Sequence, residues 1–316
     1  MNHLRLACAT AFVGGLAVLV AACGGGSAAL PTPTASPTPA PTPAPPTPTP
    51  TPTPPPPSVE LTVAHPRQGG FVVVRLEEPP PGTQEATAVL AGDSYQMAPD
   101  GDGWLGVIGL ATDLPAGDYT LEVLADGSGV GSAPVSVTEG GFERLTLTVP
   151  QESLDLLSDE AAVDEERRLV AEAYSTFTPE RLWSGEWLWP VEGPISNGFG
   201  VQRSVNGGPL ETHGGADIVA EGGAPVVAAA SGRVALAQPL YLLGNSVIID
   251  HGAGLLTGYH HMSSIAVSAG QEITKGDLVG YVGATGFVSG DHLHWEARIH
   301  GVKVDATLLT LTALEP

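Results

Sequence analysis

The sequence has little cysteine, little positive charge and no apolar run long enough for a comfortable membrane span. Each shortage narrows what the chain does. Among 316 residues, 12 Lys and Arg stand against 34 Asp and Glu, a formal net charge of -22. Nucleic acid is excluded as a natural partner, because phosphate recognition needs a basic surface. Electrostatic docking on anionic lipid is disfavoured for the same reason. The two cysteines are Cys8 and Cys23. Cys8 lies in the apolar stretch 6–20, which follows a short positive start, is shorter than the ~20 residues of a spanning helix and reads as the core of an export signal over 1–22. Removing that signal leaves a chain without a disulfide, which a large exported core tolerates. Any metal site must then be built from histidine and carboxylate.

What is present falls into blocks. Val20-Ala21-Ala22-Cys23-Gly24 resembles a bacterial lipobox, which implies cleavage before Cys23, lipidation of its sulfur and an extracytoplasmic protein anchored to a membrane. Residues 23–58 are the lipidated cysteine and a Pro/Thr-rich linker. The Thr-Pro alternation cannot pack a core and forms an extended polyproline tether of about 3.1 Å per residue. Residues 59–150 read as an immunoglobulin-like β-sandwich, with short β-rich runs at 59–63, 71–76, 86–90, 104–108, 119–124, 133–137 and 144–149 separated by Asp-Gly turns. Residues 151–182 read as a short helical connector. Early acids followed by Arg167 and Arg168 suit a helix dipole, with an apolar stripe through Leu154, Leu157, Ala161, Leu169 and Ala173. Residues 183–316 are again β-rich, with strands expected at 225–229, 232–237, 246–250, 255–260, 272–273, 278–282 and 292–299. The fold class is therefore mainly β.

Seven of the nine histidines lie between His213 and His300, which marks the C-terminal half as the chemical one. His292 and His294 are one residue apart, and on a strand such neighbours share a face. His213 and Asp217 are spaced i, i+4, but Gly214 and Gly215 argue against a helix and for a bend that folds around an ion. In Tyr259-His260-His261-Met262, strand alternation puts the two histidines on opposite faces, so at most one enters a site. Three separated segments thus offer ligands for a zinc ion, an open position and nearby bases.

Here the residues acquire a family likeness. Trp189-Pro190-Val191, Ser196-Asn197-Gly198-Phe199-Gly200, the stretch from His213 to Asp217, Gly222-Gly223-Ala224-Pro225-Val226, Gly244-Asn245-Ser246, Tyr259-His260-His261-Met262 and His292-Leu293-His294-Trp295-Glu296 occur in the order seen in lysostaphin/LytM-type zinc endopeptidases. Residues 183–316 resemble that family, which implies a β-sheet/hybrid-barrel LytM-like domain acting on peptidoglycan cross-links or stem peptides. The resemblance makes His213, Asp217 and His294 ligands of one Zn2+ per chain, and His261 and His292 the catalytic histidines. One departure is Asp291, where the family usually has proline; a solvent-facing carboxylate is the preferred reading. His260 is read as an opposite-face strand residue, His251 as a turn or core residue and His300 as exposed. Glu296 either orients an imidazole or lies at the rim.

Two other functions compete. Some relatives of this family lose zinc ligands and activate other wall hydrolases; this chain keeps all five residues, which favours the peptidase. The run 267–277 is similar to lipoyl and biotinyl hairpins, with Lys275 as the candidate attachment point, but that reading leaves the histidines unexplained. The segment 203–212 is expected to line the substrate groove.

Overall fold

The computed structural model describes residues 55–148, 156–311 and 314. The export signal, Cys23 and the linker as far as residue 54 lie outside the described residues. Strands β1 (Ser58–His65), β2 (Phe71–Glu77), β3 (Ala86–Leu90), β4 (Asp93–Gln96), β5 (Ala98–Asp100), β6 (Gly103–Gly109), β7 (Gly117–Ala125) and β8 (Ser128–Val137) build the N-terminal region. They form two four-stranded antiparallel sheets, β1-β2-β6-β5 and β4-β3-β7-β8. Ala86, Ala88 and Leu90 of β3 and Val135 and Val137 of β8 bury alternate side chains into a common core with Val72, Val74 and Leu76 of β2. A two-sheet sandwich is present, with β4 and β5 as strands the sequence did not announce; the run expected at 144–149 is not part of it, because residues 144–147 pair with the C-terminal region instead.

Strand β2 is apolar on both faces because both faces are covered. Phe71 and Val73, together with Leu105 and Val107 of β6, belong to a second buried cluster that includes Ile299, Val304, Ala306 and Leu309 of the C-terminal region. The two regions pack into one compact unit. Their contact is reinforced by an Arg67–Asp305 ion pair of 2.7 Å.

Strand β9 (Arg144–Leu147) leaves the sandwich, and helix α1 (Glu160–Tyr174) follows. Asp159 caps α1 by accepting from Ala162 N–H at 3.1 Å, as an N-cap carboxylate does. Its buried face is Val163, Glu166, Val170, Ala173 and Tyr174, packed near Leu236, Leu240, Ile248 and Leu256. This corrects the expected stripe in part: Leu157 is exposed in a 3-10 turn before the helix and Ala161 faces solvent, whereas Leu169 packs half-buried against the cluster and Ala173 is buried; Leu154 lies outside the described residues. Arg167 and Arg168 lie in mid-helix and pair with Asp164, Glu165 and Glu172 rather than with the helix C-terminus.

The remaining strands are β10 (Ile195–Asn197), β11 (Gln202–Val205), β12 (Leu210–Thr212), β13 (Gly215–Ile218), β14 (Pro225–Val227), β15 (Gly232–Leu240), β16 (Gly244–Asp250), β17 (Leu255–Met262), β18 (Ser264–Ile265), β19 (Glu272–Ile273), β20 (Leu278–Tyr281), β21 (Leu293–Ile299) and β22 (Val302–Val304). The main sheet runs β10-β13-β21-β17-β16-β15-β19, with β22 on β21. Two three-stranded sheets, β14-β20-β18 and β12-β11-β9, flank it. In the latter, β9, which follows the sandwich, joins β11 in parallel, from Arg144 opposite Gln202 to Leu147 opposite Val205.

Candidate metal centre and groove

Neighbouring strands β13, β21 and β17 set the site. Asp217 pairs directly with His294, and His294 with His260 across its other edge. His213 precedes β13. The expected bend over 213–217 is thus half strand. Its glycines serve close approach rather than curvature: a Cβ on Gly215 would lie 2.4 Å from the Trp295 carbonyl and 2.9 Å from His294 Nε2.

All five sequence-predicted residues converge. His213 Nε2 lies 3.0 Å from His294 Nδ1 and 3.0 Å from Asp217 Oδ1, and His294 Nδ1 lies 2.7 Å from Asp217 Oδ1. The three residues are buried and offer one ligand atom each within 4.8 Å of one another. Their other polar atoms are engaged. His213 Nδ1 donates to Gly198 O at 2.8 Å, His294 Nε2 faces the Glu296 carboxylate at 3.8 Å, and Arg203 donates to Asp217 Oδ2 at 2.7 Å. That leaves Nε2, Nδ1 and Oδ1 as the donor set, one a zinc ion accepts. Glu296 is buried behind His294, not at the rim, and Arg298 pairs with it in turn.

His261 and His292 stand beside this trio, their ring centroids 5.1 Å apart. Each fixes its tautomer on a backbone carbonyl: His261 Nδ1 on Thr285 O and His292 Nδ1 on Gly290 O, both at 2.9 Å. His292 Nε2 is 3.7 Å from Asp217 Oδ1. A groove of about 920 Å³ runs over both rings, bordered by Arg203, Val205 and Glu211 of the β11–β12 hairpin and by Leu242, Leu243 and Phe287 opposite. The segment 203–212 lines it as anticipated.

Simple alternation misplaced His260. It is fully buried, bonds Ser246 Oγ at 2.9 Å and sits 5.7 Å from the His294 ring, on the same side as His294. His261 reaches that side too because β17 carries one extra residue against β16: Asn245 pairs Met262, while Val247 pairs Tyr259. Such a bulge re-aims a side chain, and His261 adopts φ 64° within it.

His300, expected to be exposed, stacks on Phe177 and meets the edge of Tyr95 from the sandwich, which covers its turn. Asp291 is exposed, with its carboxylate over Gly222, where a Cβ would lie 2.7 Å from Oδ2. Lys275 donates to Glu186 O and is not a free hairpin-tip lysine.

Charge within the site follows from burial and contacts. For Asp217 burial opposes ionisation, but the bonded His213 and His294 outweigh it and hold the carboxyl far below its ordinary range. For His294 burial favours the neutral ring, yet Asp217 and Glu296 raise its pKa. Burial, then the neighbouring His294 and His292, lower His261 to about 3.

Comparison with known proteins defines the class. Residues 211–306 match peptidase family M23, and the chain carries an M23 peptidase domain. Among its relatives, the peptidoglycan DD-endopeptidase ShyA of Vibrio cholerae is 38% identical over 94 residues, covering 30% of this chain and 22% of that protein. The murein hydrolase activator NlpD of Escherichia coli is 34% identical over 120 residues, covering 38% of this chain and 30% of that protein. A crystal structure of a Pseudomonas aeruginosa protein described as a peptidase M23 superposes with a TM-score of 0.57 at 29% identity, over 78% of this chain and 96% of that one. That likeness reaches well beyond the C-terminal region. The chain spans only 22% to 29% of the length of the first curated relatives it matches.

Proposed function

We propose that the chain is a zinc-dependent endopeptidase that hydrolyses peptide bonds in peptidoglycan cross-links or stem peptides, working outside the cytoplasm on a lipid anchor at Cys23. The observation that carries the reading is the convergence of one carboxylate oxygen and two imidazole nitrogens, all otherwise oriented by the protein, beside two further histidines in an open groove. His213, Asp217 and His294 would hold one Zn2+, which as a Lewis acid polarises a scissile carbonyl and lowers the pKa of water to about 7. His261 and His292 turn Nε2 lone pairs toward the groove and share the proton work: one takes the proton of the attacking water, and the pair returns it to the leaving amine. Arg203 and Glu296 keep the ligands in place by bonding the atoms that do not ligate.

Metal analysis of the purified chain, with muropeptide digestion before and after His294→Ala, tests this. One zinc per chain and cleavage that disappears in the variant are expected. Stoichiometric zinc without any cleavage by the unaltered chain would sink the enzymatic reading. The similarity to a protein named as a murein hydrolase activator supports one alternative, a wall-binding regulator. That alternative predicts no bound zinc together with stimulation of a separate wall hydrolase.

A further inference from the structure

Helix α1 lies outside the residues matched to family M23, and its buried face contains one charged residue. Glu166 sits between Val163 and Val170 on that face and is 8% exposed. Its Oε2 accepts from Leu242 N–H at 2.6 Å and from Leu243 N–H at 3.2 Å. An apolar side chain would fill this position without the cost of burying a carboxylate, so packing alone does not account for it.

The backbone it grips is the hub of the groove wall. Leu242 O accepts from Phe287 N–H at 2.7 Å, and Leu243 O accepts from His261 N–H at 2.9 Å. Thr285 closes the circle: its carbonyl holds His261 Nδ1, and its hydroxyl bonds both Asn245 N–H and Met262 O. His261 needs this support, because a left-handed backbone is unfavourable for a non-glycine residue and persists only where surroundings over-determine it.

We propose that Glu166 is a positioning residue of the peptidase: through Leu242 and Leu243 it fixes the groove loop that keeps His261 turned into the site. The inference rests on the reading of His261 as a catalytic histidine. It makes α1 part of the working apparatus rather than a spacer between two regions.

The test compares Glu166→Ala, Glu166→Gln and Glu166→Met in the full chain. Zinc content, kcat and KM on muropeptides, and amide hydrogen exchange over residues 241–245 and 259–262 are measured. Glu166→Ala should lower kcat on the order of 10- to 100-fold, the scale of a misplaced group, with KM and zinc content little changed and exchange of both segments faster. Glu166→Gln, whose carboxamide oxygen accepts the same bonds, should recover most of the rate. Glu166→Met restores apolar packing without an acceptor, so it reports the same loss even if the alanine variant does not fold. Val170→Ala, which trims the same helix face and leaves the Glu166 hydrogen bonds in place, should leave kcat unchanged. Wild-type kcat and exchange in Glu166→Met, or an equal kcat loss in Val170→Ala, would overturn the proposal. Exchange reads the loop even if the unaltered chain cleaves nothing. A silent wild type with faster loop exchange in the variants would therefore refute the peptidase reading and leave the structural link standing.

Discussion

His251 shows what burial does to a single titratable group in this chain. It is wholly buried against the edge of Trp187, with Nδ1 on Ser231 O and Nε2 on Thr257 Oγ1, both at 2.8 Å. Burial lowers its pKa to about 4. The unfolded chain therefore takes up this proton first as pH falls from about 6.5. The His251 contribution is intact above about 6.5 and is lost progressively down to the folded value near 4, a change of about 3 kcal/mol. Urea unfolding with a chelator present, at pH 7 and pH 4.5, should show His251→Gln losing less stability on acidification than the unaltered chain. Equal losses would contradict the assignment. Histidines 213, 292 and 294, with Asp217, were legible as a set because residue type and order carry their chemistry. The route of His261 into the site was not legible. A bulge depends on which strand lies alongside, and nothing in Tyr259-His260-His261-Met262 encodes the extra residue.

Among elements, β21 and α1 are coupled by a file of charge that is buried at His294 and Glu296 and half-buried at Arg298. His294, Glu296 and Arg298 occupy alternate positions on β21, and Arg298 lies 3.9 Å from the centroid of the Tyr174 ring on α1. The Tyr174 hydroxyl has no hydrogen-bond partner among the described residues. Tyr174→Phe should leave stability unchanged or raise it by up to ~1 kcal/mol, since it removes an unsatisfied buried group. Arg298→Met should cost about 3 kcal/mol, because it strands the Glu296 carboxylate. Thermal melts of the two variants decide this; a costly Tyr174→Phe would mean that the hydroxyl has a partner. Most strands were readable from alternation and glycine turns. In the C-terminal region β10, β11, β12, β18 and β22 were not, and neither was β13, because glycines at 214 and 215 argue locally for a bend while neighbouring strands impose extension. The register of α1 was also missed in part, since a carboxylate at position 166 hides the true buried face from any count of apolar residues.

For the whole molecule, the sandwich and the C-terminal region share one core. Gly109 of β6 approaches β22 so closely that a Cβ would lie 3.0 Å from Val302 and 3.1 Å from Val304. A fragment of residues 183–316 would expose the surface that Phe71, Val73, Leu105 and Val107 cover, each worth about 1.5–3 kcal/mol when buried. Such a fragment should melt well below the chain from residue 59 onward, which should unfold in a single transition by calorimetry. Two separate transitions would show that the regions are thermodynamically independent. The sequence divides at the acidic connector, but the core does not, because double-sided burial of β2 and β6 leaves only an apolar run that a sandwich strand also produces.

The parallel pairing of β9 with β11 gives the segment that leads out of the sandwich a mechanical role. Arg203, on β11, touches Asp217, and β11 is paired with the strand through which the chain leaves the sandwich. Strand residues advance ~3.3 Å each, so sliding β9 by one position along the pair would carry the guanidinium out of reach of the carboxylate. A pull delivered along the chain to the sandwich therefore has a load path, only two strands wide, that ends on the residue whose free oxygen would hold the metal.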